Sequence, residues 1–188
     1  MNRTLRLDAD GKNGLDVLWQ DGERLLCRKW CLGGDGNGGS VLVVLPAGER
    51  PPPASLESLT HEYALKDELD GAWAVPPLEL LHEGGRIVLM LEDSGGEPLA
   101  RLLGAPMEMG SFLRLAIGTA TALGKAHQRG LIHKDIKPSN IIVNRASGAI
   151  RLTGFGIASR LPRERQTLEP HETIAGTLAY MAPSRRDR

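Results

Sequence analysis

The sequence predicts an α+β fold, with strands first and the main helix later, on three observations. Runs of bulky and β-branched residues crowd the first half of the chain, and two of them are joined by Asp21-Gly22, a hairpin signal. A long helical pattern follows at Ser111–Arg129, with Gly130 at its C-terminal stop. Between that helix and a second set of short strands lies a dense polar loop, His133 to Asn140.

The elements follow in order. Residues 1–14 are polar and Gly-containing, a loose leader with one short strand at Leu5-Arg6-Leu7. Leu15 to Gln20 reads as a strand, and Arg24 to Leu32 as its hairpin return. Val41 to Leu45 is the third strand. The glycine run before it holds a literal G-x-G-x-x-G at Gly34, Gly36 and Gly39, but it opens into a strand where a phosphate-cradling fingerprint opens a helix. It is therefore read as a flexible connector.

Pro51-Pro52-Pro53 leads stiffly into a helix capped by Ser55 and running to about Leu69, with Leu56, Leu59 and Tyr63 on one face. Trp73 to Leu81 and Arg86 to Leu91 read as two more strands around Glu83-Gly84-Gly85. Glu97 to Leu103 is predicted as a short helix, broken by Gly104 and Pro106. Ser111 is the expected cap of the long helix, with Leu113, Ala116, Ile117, Ala120, Leu123 and His127 as its buried stripe. Ile141–Val143 and Ile150–Leu152 are short strands around Ser147-Gly148, and residues 157–175 read as a polar, mobile segment.

Composition sets limits. The chain has 188 residues, 41% of them hydrophobic, which suits one domain or two small lobes. Lys+Arg and Asp+Glu both number 23, so charge gives no support to a nucleic-acid or anionic-membrane partner. No apolar run reaches membrane-spanning length, and Met1-Asn2-Arg3-Thr4 leads to no signal-peptide core, so a cytoplasmic location is the expectation. Cys27 and Cys31 are read as buried or half-buried reduced thiols.

The chemistry concentrates in His133-Lys134-Asp135-Ile136-Lys137-Pro138-Ser139-Asn140. Asp135 can accept a hydroxyl proton, Lys137 can neutralise phosphate oxygens, and Asn140 can ligate a hard cation. Proton acceptor, cation and metal ligand are what phosphoryl transfer requires, because that reaction is mostly positioning and charge stabilisation.

This loop resembles the catalytic loop of protein kinases, H-R-D-x-x-x-x-N, with Lys134 in the arginine's place. Gly154-Phe155-Gly156 resembles the family's metal-loop triplet, and Gly176-Thr177-Leu178-Ala179-Tyr180-Met181-Ala182-Pro183 the end of its activation segment. The resemblance spans about Val17 to Pro183 and implies a bilobal fold. It divides the chain into the leader, an N-terminal lobe of antiparallel sheet plus one helix at 15–93, and an incomplete helical C-terminal lobe at 94–188. It further implies Asp135 as base, Lys137 at the phosphates, Asn140 on metal and His133 as a structural residue beside the triplet. Thr177 corresponds to the threonine that Ser/Thr-type kinases bond to the catalytic aspartate. Leu91 takes the gatekeeper position, the backbone of Glu92, Asp93 and Ser94 faces an adenine, Gly22 sits in the nucleotide loop, and Glu62 is the helix glutamate that pairs with a strand-three lysine. Leu91-Glu92-Asp93-Ser94-Gly95-Gly96-Glu97 and Leu152-Thr153-Gly154-Phe155-Gly156-Ile157-Ala158-Ser159 are similar to kinase-like modules that precede ATPase and sensor histidine kinase regions in bacterial signalling proteins.

Departures from the family pattern matter as much. Val44 stands where the V-A-I-K lysine is expected, the nucleotide loop has Gly22 alone of three glycines, the metal aspartate is Gly154, and Ser184 follows Ala-Pro. Losing one preorganised electrostatic group costs ~3–4 kcal/mol of barrier. Losing two independent ones slows transfer by a factor on the order of 10⁴–10⁶. The resemblance therefore implies weak ATP binding, with Asn140 the one matched side-chain ligand for Mg²⁺. Three functions fit: a degenerate Ser/Thr-kinase-like module that binds or regulates, an active Ser/Thr protein kinase, and an inactive fragment of a longer sensor kinase. The partner expected is a protein substrate or regulator, together with further domains of a longer parent. Phosphoryl transfer controlled by Asp135→Asn separates the second from the others, and cooperative unfolding separates the first from the third.

Overall fold

The computed structural model describes residues 15–31, 39–48, 51–83, 86–161 and 176–181. Residues 1–14, 32–38, 49–50, 84–85, 162–175 and 182–188, with the leader, the glycine run and most of the polar segment expected there, lie outside the described residues.

A five-stranded antiparallel sheet dominates the first half, in the order β1-β2-β3-β5-β4. It is built from β1 (Leu15–Gln20), β2 (Arg24–Cys31), β3 (Gly39–Pro46), β4 (Pro77–Glu83) and β5 (Arg86–Glu92). The Asp21-Gly22 hairpin forms as expected, because the Asp21 Oδ1 accepts from the main-chain N–H of Glu23 (3.0 Å) and Arg24 (2.9 Å) and closes the turn. Trp73 does not begin a strand. Residues Ala72 to Ala74 fold back on Asp70, and two prolines, Pro76 and Pro77, delay β4. Proline is tolerated at the start of β4, an edge strand.

Helix α1 (Pro53–Ala64) lies on this sheet. Ser55 is not its cap: Pro52 holds that place, and Pro53 opens the helix where a missing N–H costs nothing. The helix also ends five residues early, tightening into i→i+3 turns that bring Leu65 and Leu69 into the core. Leu59 is the fully buried member of the expected stripe, with Leu56 and Tyr63 half-buried. Cys27 is a buried thiol outside any disulfide, on the opposite face of the sheet, packed with Val43 and Val88.

The second half is built around α2 (Met109–Gln128) and small sheets. β6 (Glu97–Pro98), β8 (Ile141–Val143) and β9 (Ile150–Leu152) form one, and β7 (Leu131–Ile132) pairs with β10 (Ser159–Arg160) in another. The expected helix at Glu97–Leu103 is instead β6 followed by a 3₁₀ turn at Leu99–Leu102, because Pro98 holds an extended backbone. Ser159–Arg160 is a paired strand, not the start of a loose segment.

Helix α2 differs from its expected form in two ways. Its cap is Glu108, whose carboxylate accepts from Gly110 N–H (2.7 Å) and Ser111 N–H (2.8 Å). Its buried face carries Gly118, Ala122 and Ala126; of the stripe expected inside, Leu123 packs half-buried against the core, while Leu113, Ala116, Ile117, Ala120 and His127 are exposed. Apolar residues cover most of the helix outside a polar strip of Arg114, Thr121, Lys125 and Gln128, so periodicity alone does not choose which apolar side is buried. Close approach does: a Cβ on Gly118 would stand 2.6 Å from Ile150 Cδ1, so the small-residue side seats against β9. Among the described residues no helix is long and apolar enough to cross a membrane.

The outward face leaves Met109 67%, Phe112 55%, Leu113 48% and Ile117 66% exposed. Such clustered apolar surface forgoes ~25 cal/mol per Å² that burial would recover, and favours association. Sedimentation should show concentration-dependent self-association that Phe112→Ser with Ile117→Ser reduces; a monodisperse monomer at all concentrations contradicts this.

Candidate active site

The site sits where the sheet of the first half meets β8 and β9. Ile142 of β8 joins the core of the first sheet with Leu42, Val44 and Leu89, and Val75 N–H bonds Leu152 O at 2.9 Å. These contacts set the loop 133–140 under the β1–β2 turn.

The loop itself is tightly specified. Lys134 has φ 67, and a non-glycine residue held there stores strain of about 1 kcal/mol or more. His133 is buried, packs on Phe155 with ring centroids 4.4 Å apart, and pairs Nε2 with Thr153 O at 3.0 Å. Burial pushes its imidazole down to about 4, despite the Thr153 carbonyl and the Asp135 carboxylate. It is a neutral residue packed against Phe155.

Asp135 is the centre of the polar network. Its Oδ1 accepts from Thr177 N–H (3.0 Å) and Thr177 Oγ1 (2.7 Å). Its Oδ2 accepts from Asn140 Nδ2 (3.0 Å) and meets Lys137 Nζ at 3.1 Å. Burial works to raise the carboxyl, but bonds from Thr177, Lys137 and Asn140 outweigh it and hold the group below the ordinary carboxylate value. Lys137 Nζ also donates to Thr177 Oγ1 at 3.1 Å and lies 3.7 Å from Asp21 Oδ2. Four of the five catalytic-type residues from the sequence, Asp135, Lys137, Asn140 and Thr177, therefore share one connected cluster.

The metal position is different. Asn140 is fully buried, gives Nδ2 to Asp135, and takes a hydrogen bond on Oδ1 from the Arg24 guanidinium. A Cβ at Gly154 would lie 2.8 and 2.9 Å from the two terminal guanidinium nitrogens of Arg24. The one matched oxygen ligand thus already serves a cation, and the position beside it has no carboxylate. The residues present do not fit a divalent metal ion. Arg24 and Asp21 are the participants that sequence reasoning missed; the sole signal was their place at the two ends of the hairpin turn.

The remaining positions are spread along the cleft. Glu62 is 1% exposed and its Oε1 accepts Gly154 N–H at 2.7 Å, so it is neither a solvated charge nor the partner of a lysine at position 44. Val44 is buried in the sheet core, opposite Leu89 of β5. Gly22 is exposed at the turn. Glu92 N–H is used by Pro76 O (2.9 Å), while Ser94 O accepts from Asn144 Nδ2 (3.0 Å) and keeps a second lone pair.

Asp93 makes a buried joint. It meets Arg28 Nε at 2.5 Å, Ser40 Oγ at 2.7 Å and Gly95 N–H at 2.9 Å, and Arg28 also reaches Gly96 O at 2.6 Å. Burial works against the carboxylate, but the bonds from Arg28 and Ser40 hold the Asp93 carboxyl low.

Comparison with known proteins identifies the family. The pattern of the protein kinase domain matches residues 49–185. A serine/threonine-protein kinase of Myxococcus xanthus is 35% identical over 101 residues, covering 52% of this chain and 14% of that protein. Mitogen-activated protein kinase kinase 5 of Leishmania mexicana is 30% identical over 165 residues, covering 81% of this chain and 30% of that protein. Mitogen-activated protein kinase kinase kinase 15 of Mus musculus is 32% identical over 130 residues, covering 68% of this chain and 10% of that protein. The chain belongs to the protein kinase domain family. It spans less than a third of the length of each of these three relatives.

Two outcomes test the site's energetics. The folded His133 stays neutral where an unfolded histidine takes up a proton near 6.5, so its contribution is complete above that pH and declines as pH falls toward about 4. The loss is on the order of 3 kcal/mol. Melts recorded between those values should slope downward with acid, and the His133 ring resonances should not titrate between pH 8 and pH 5. Arg28→Ala leaves the buried Asp93 carboxylate without its cation and should destabilise the fold by about 3 kcal/mol in urea unfolding.

Proposed function

We propose that the chain is a Ser/Thr-type kinase-like module with degenerate catalytic machinery, acting by binding or regulation. The observation that carries this is the paired substitution at the phosphate end of the cleft. Val44 is buried apolar core where a lysine is expected, and Gly154, with the Arg24 guanidinium against it, stands where a metal carboxylate is expected. ATP should bind weakly, with almost no dependence on Mg²⁺. The Leu91–Ser94 edge would meet the adenine, and Lys137 the phosphates.

The partner is a protein, as substrate or regulated target, and further domains of a longer parent go with the short coverage of the relatives. The motifs at 91–97 and 152–159 favour a bacterial multidomain sensor as that parent. A cytoplasmic setting goes with this reading, since ATP is met there.

A second reading, an active Ser/Thr kinase, is favoured by one observation. Asp135 is held by Thr177, Lys137 and Asn140 as a transfer base would be. Single-turnover transfer from labelled ATP to a generic Ser/Thr substrate decides between them. The degenerate reading expects no transfer above the Asp135→Asn control; transfer that Asp135→Asn abolishes establishes the active reading. Repair is a stricter test. Gly154→Asp alone meets the Arg24 guanidinium and a φ of +82, and Val44→Lys alone buries a charge, so each should give little and the pair more than their sum.

A further inference from the structure

The Arg24 guanidinium occupies a specific place. It projects from the first residue of β2, and its backbone is fixed by the Asp21 carboxylate at 2.9 Å. It donates to Asn140 Oδ1, and its terminal nitrogens lie within 2.8–2.9 Å of where a Gly154 side chain would begin. Asn140 cannot turn away, because its Nδ2 serves both the Asp135 carbonyl (2.7 Å) and the Asp135 carboxylate (3.0 Å). Across the same space, Lys137 Nζ sits between Asp135 Oδ2 at 3.1 Å and Asp21 Oδ2 at 3.7 Å. Two cations thus flank the point that two carboxylates and an amide hold in place.

We infer that Arg24 is the resident cation of the cleft, gripping the phosphates of a metal-free nucleoside triphosphate in the place where a divalent ion would bridge them. A guanidinium presents five N–H donors in a planar fork that matches phosphate oxygens, so one can stay on Asn140 while others face an anion. It is permanently charged, needs no coordination shell, and repels a second cation at close range. The glycine at position 154 suits this view: its φ of +82 disfavours a side chain, and one there would displace the fork. The inference rests on the nucleotide-binding reading above and adds the residue responsible and the ionic form of the ligand.

The test is calorimetric titration of ATP into the full chain, once with EDTA and once with excess Mg²⁺. The unaltered protein should bind ATP at least as tightly in EDTA as in Mg²⁺. Arg24→Gln, checked by circular dichroism for retained fold, should bind ~10–100-fold more weakly in EDTA, the range for losing one charge-assisted bond. That variant also frees Asn140 Oδ1, so Mg²⁺ should now improve its binding. Arg24→Lys keeps a charge without the fork and should fall between the two while staying indifferent to Mg²⁺; it carries the test alone if the glutamine variant does not fold. Unchanged affinity in a folded Arg24→Gln overturns the role of Arg24 and leaves nucleotide binding standing. So does tighter binding by the unaltered protein in Mg²⁺. If the unaltered chain binds no ATP under either condition, both the role of Arg24 and the nucleotide-binding reading fail.

Discussion

The arrangement of the cleft depends on one buried side-chain amide. The Asn140 side chain ties the hairpin turn, through Arg24, to the loop, through Asp135, and its main-chain carbonyl accepts Thr153 N–H at 3.0 Å from the strand end after β9. An amide has one accepting end and one donating end. The carboxylate on one side requires the donor and the guanidinium on the other requires the acceptor, so its orientation is determined twice. A flip would set two donors together and leave a buried carboxylate facing an oxygen, losses that each cost kilocalories in a low-dielectric interior.

The two departures from the kinase pattern are coupled through the same space. A valine at position 44 joins the sheet core with Leu42 and Leu89 and brings no charge to Glu62. Glu62 is nevertheless buried, and a buried carboxylate needs donors. It finds one in Gly154 N–H, presented by a backbone at φ +82. That same glycine leaves room for Arg24. Each position lacks the charged side chain that the kinase pattern expects there, and the polar groups around it take hydrogen bonds from one another.

How much of this was legible in the sequence follows the range of the interactions. Asp21-Gly22 specifies its hairpin within four residues, so β1 and β2 were readable. The spacing from His133 to Asn140 encodes a local loop, and the cluster of Asp135, Lys137 and Asn140 followed from it. Thr177 was placed by the family pattern, since 42 residues separate it from Asp135. Helix faces and caps were less secure. On α2 both sides are apolar, and the choice between them rests on the contact between Gly118 and Ile150, which no single-helix pattern contains. Ser55 and Ser111 are good caps in isolation, but Pro53 and Glu108 reached the helix ends first. Arg24 was invisible for a stronger reason: its partner lies 116 residues away, and only the folded sheet brings the two together.

The joint at Asp93 has a mechanical consequence. On one side it is fastened to β2 and β3 by Arg28 and Ser40. On the other, Ser94 is held by Asn144, and Gly96 passes so close to Val143 that a Cβ would stand 2.7 Å from its carbonyl oxygen. A connector that is to swing needs slack, and this one is fastened at both ends by charge, hydrogen bonds and contact. These fastenings oppose swinging at the connector, so the bonds that close the Asp93 joint also brace the spacing of the two halves.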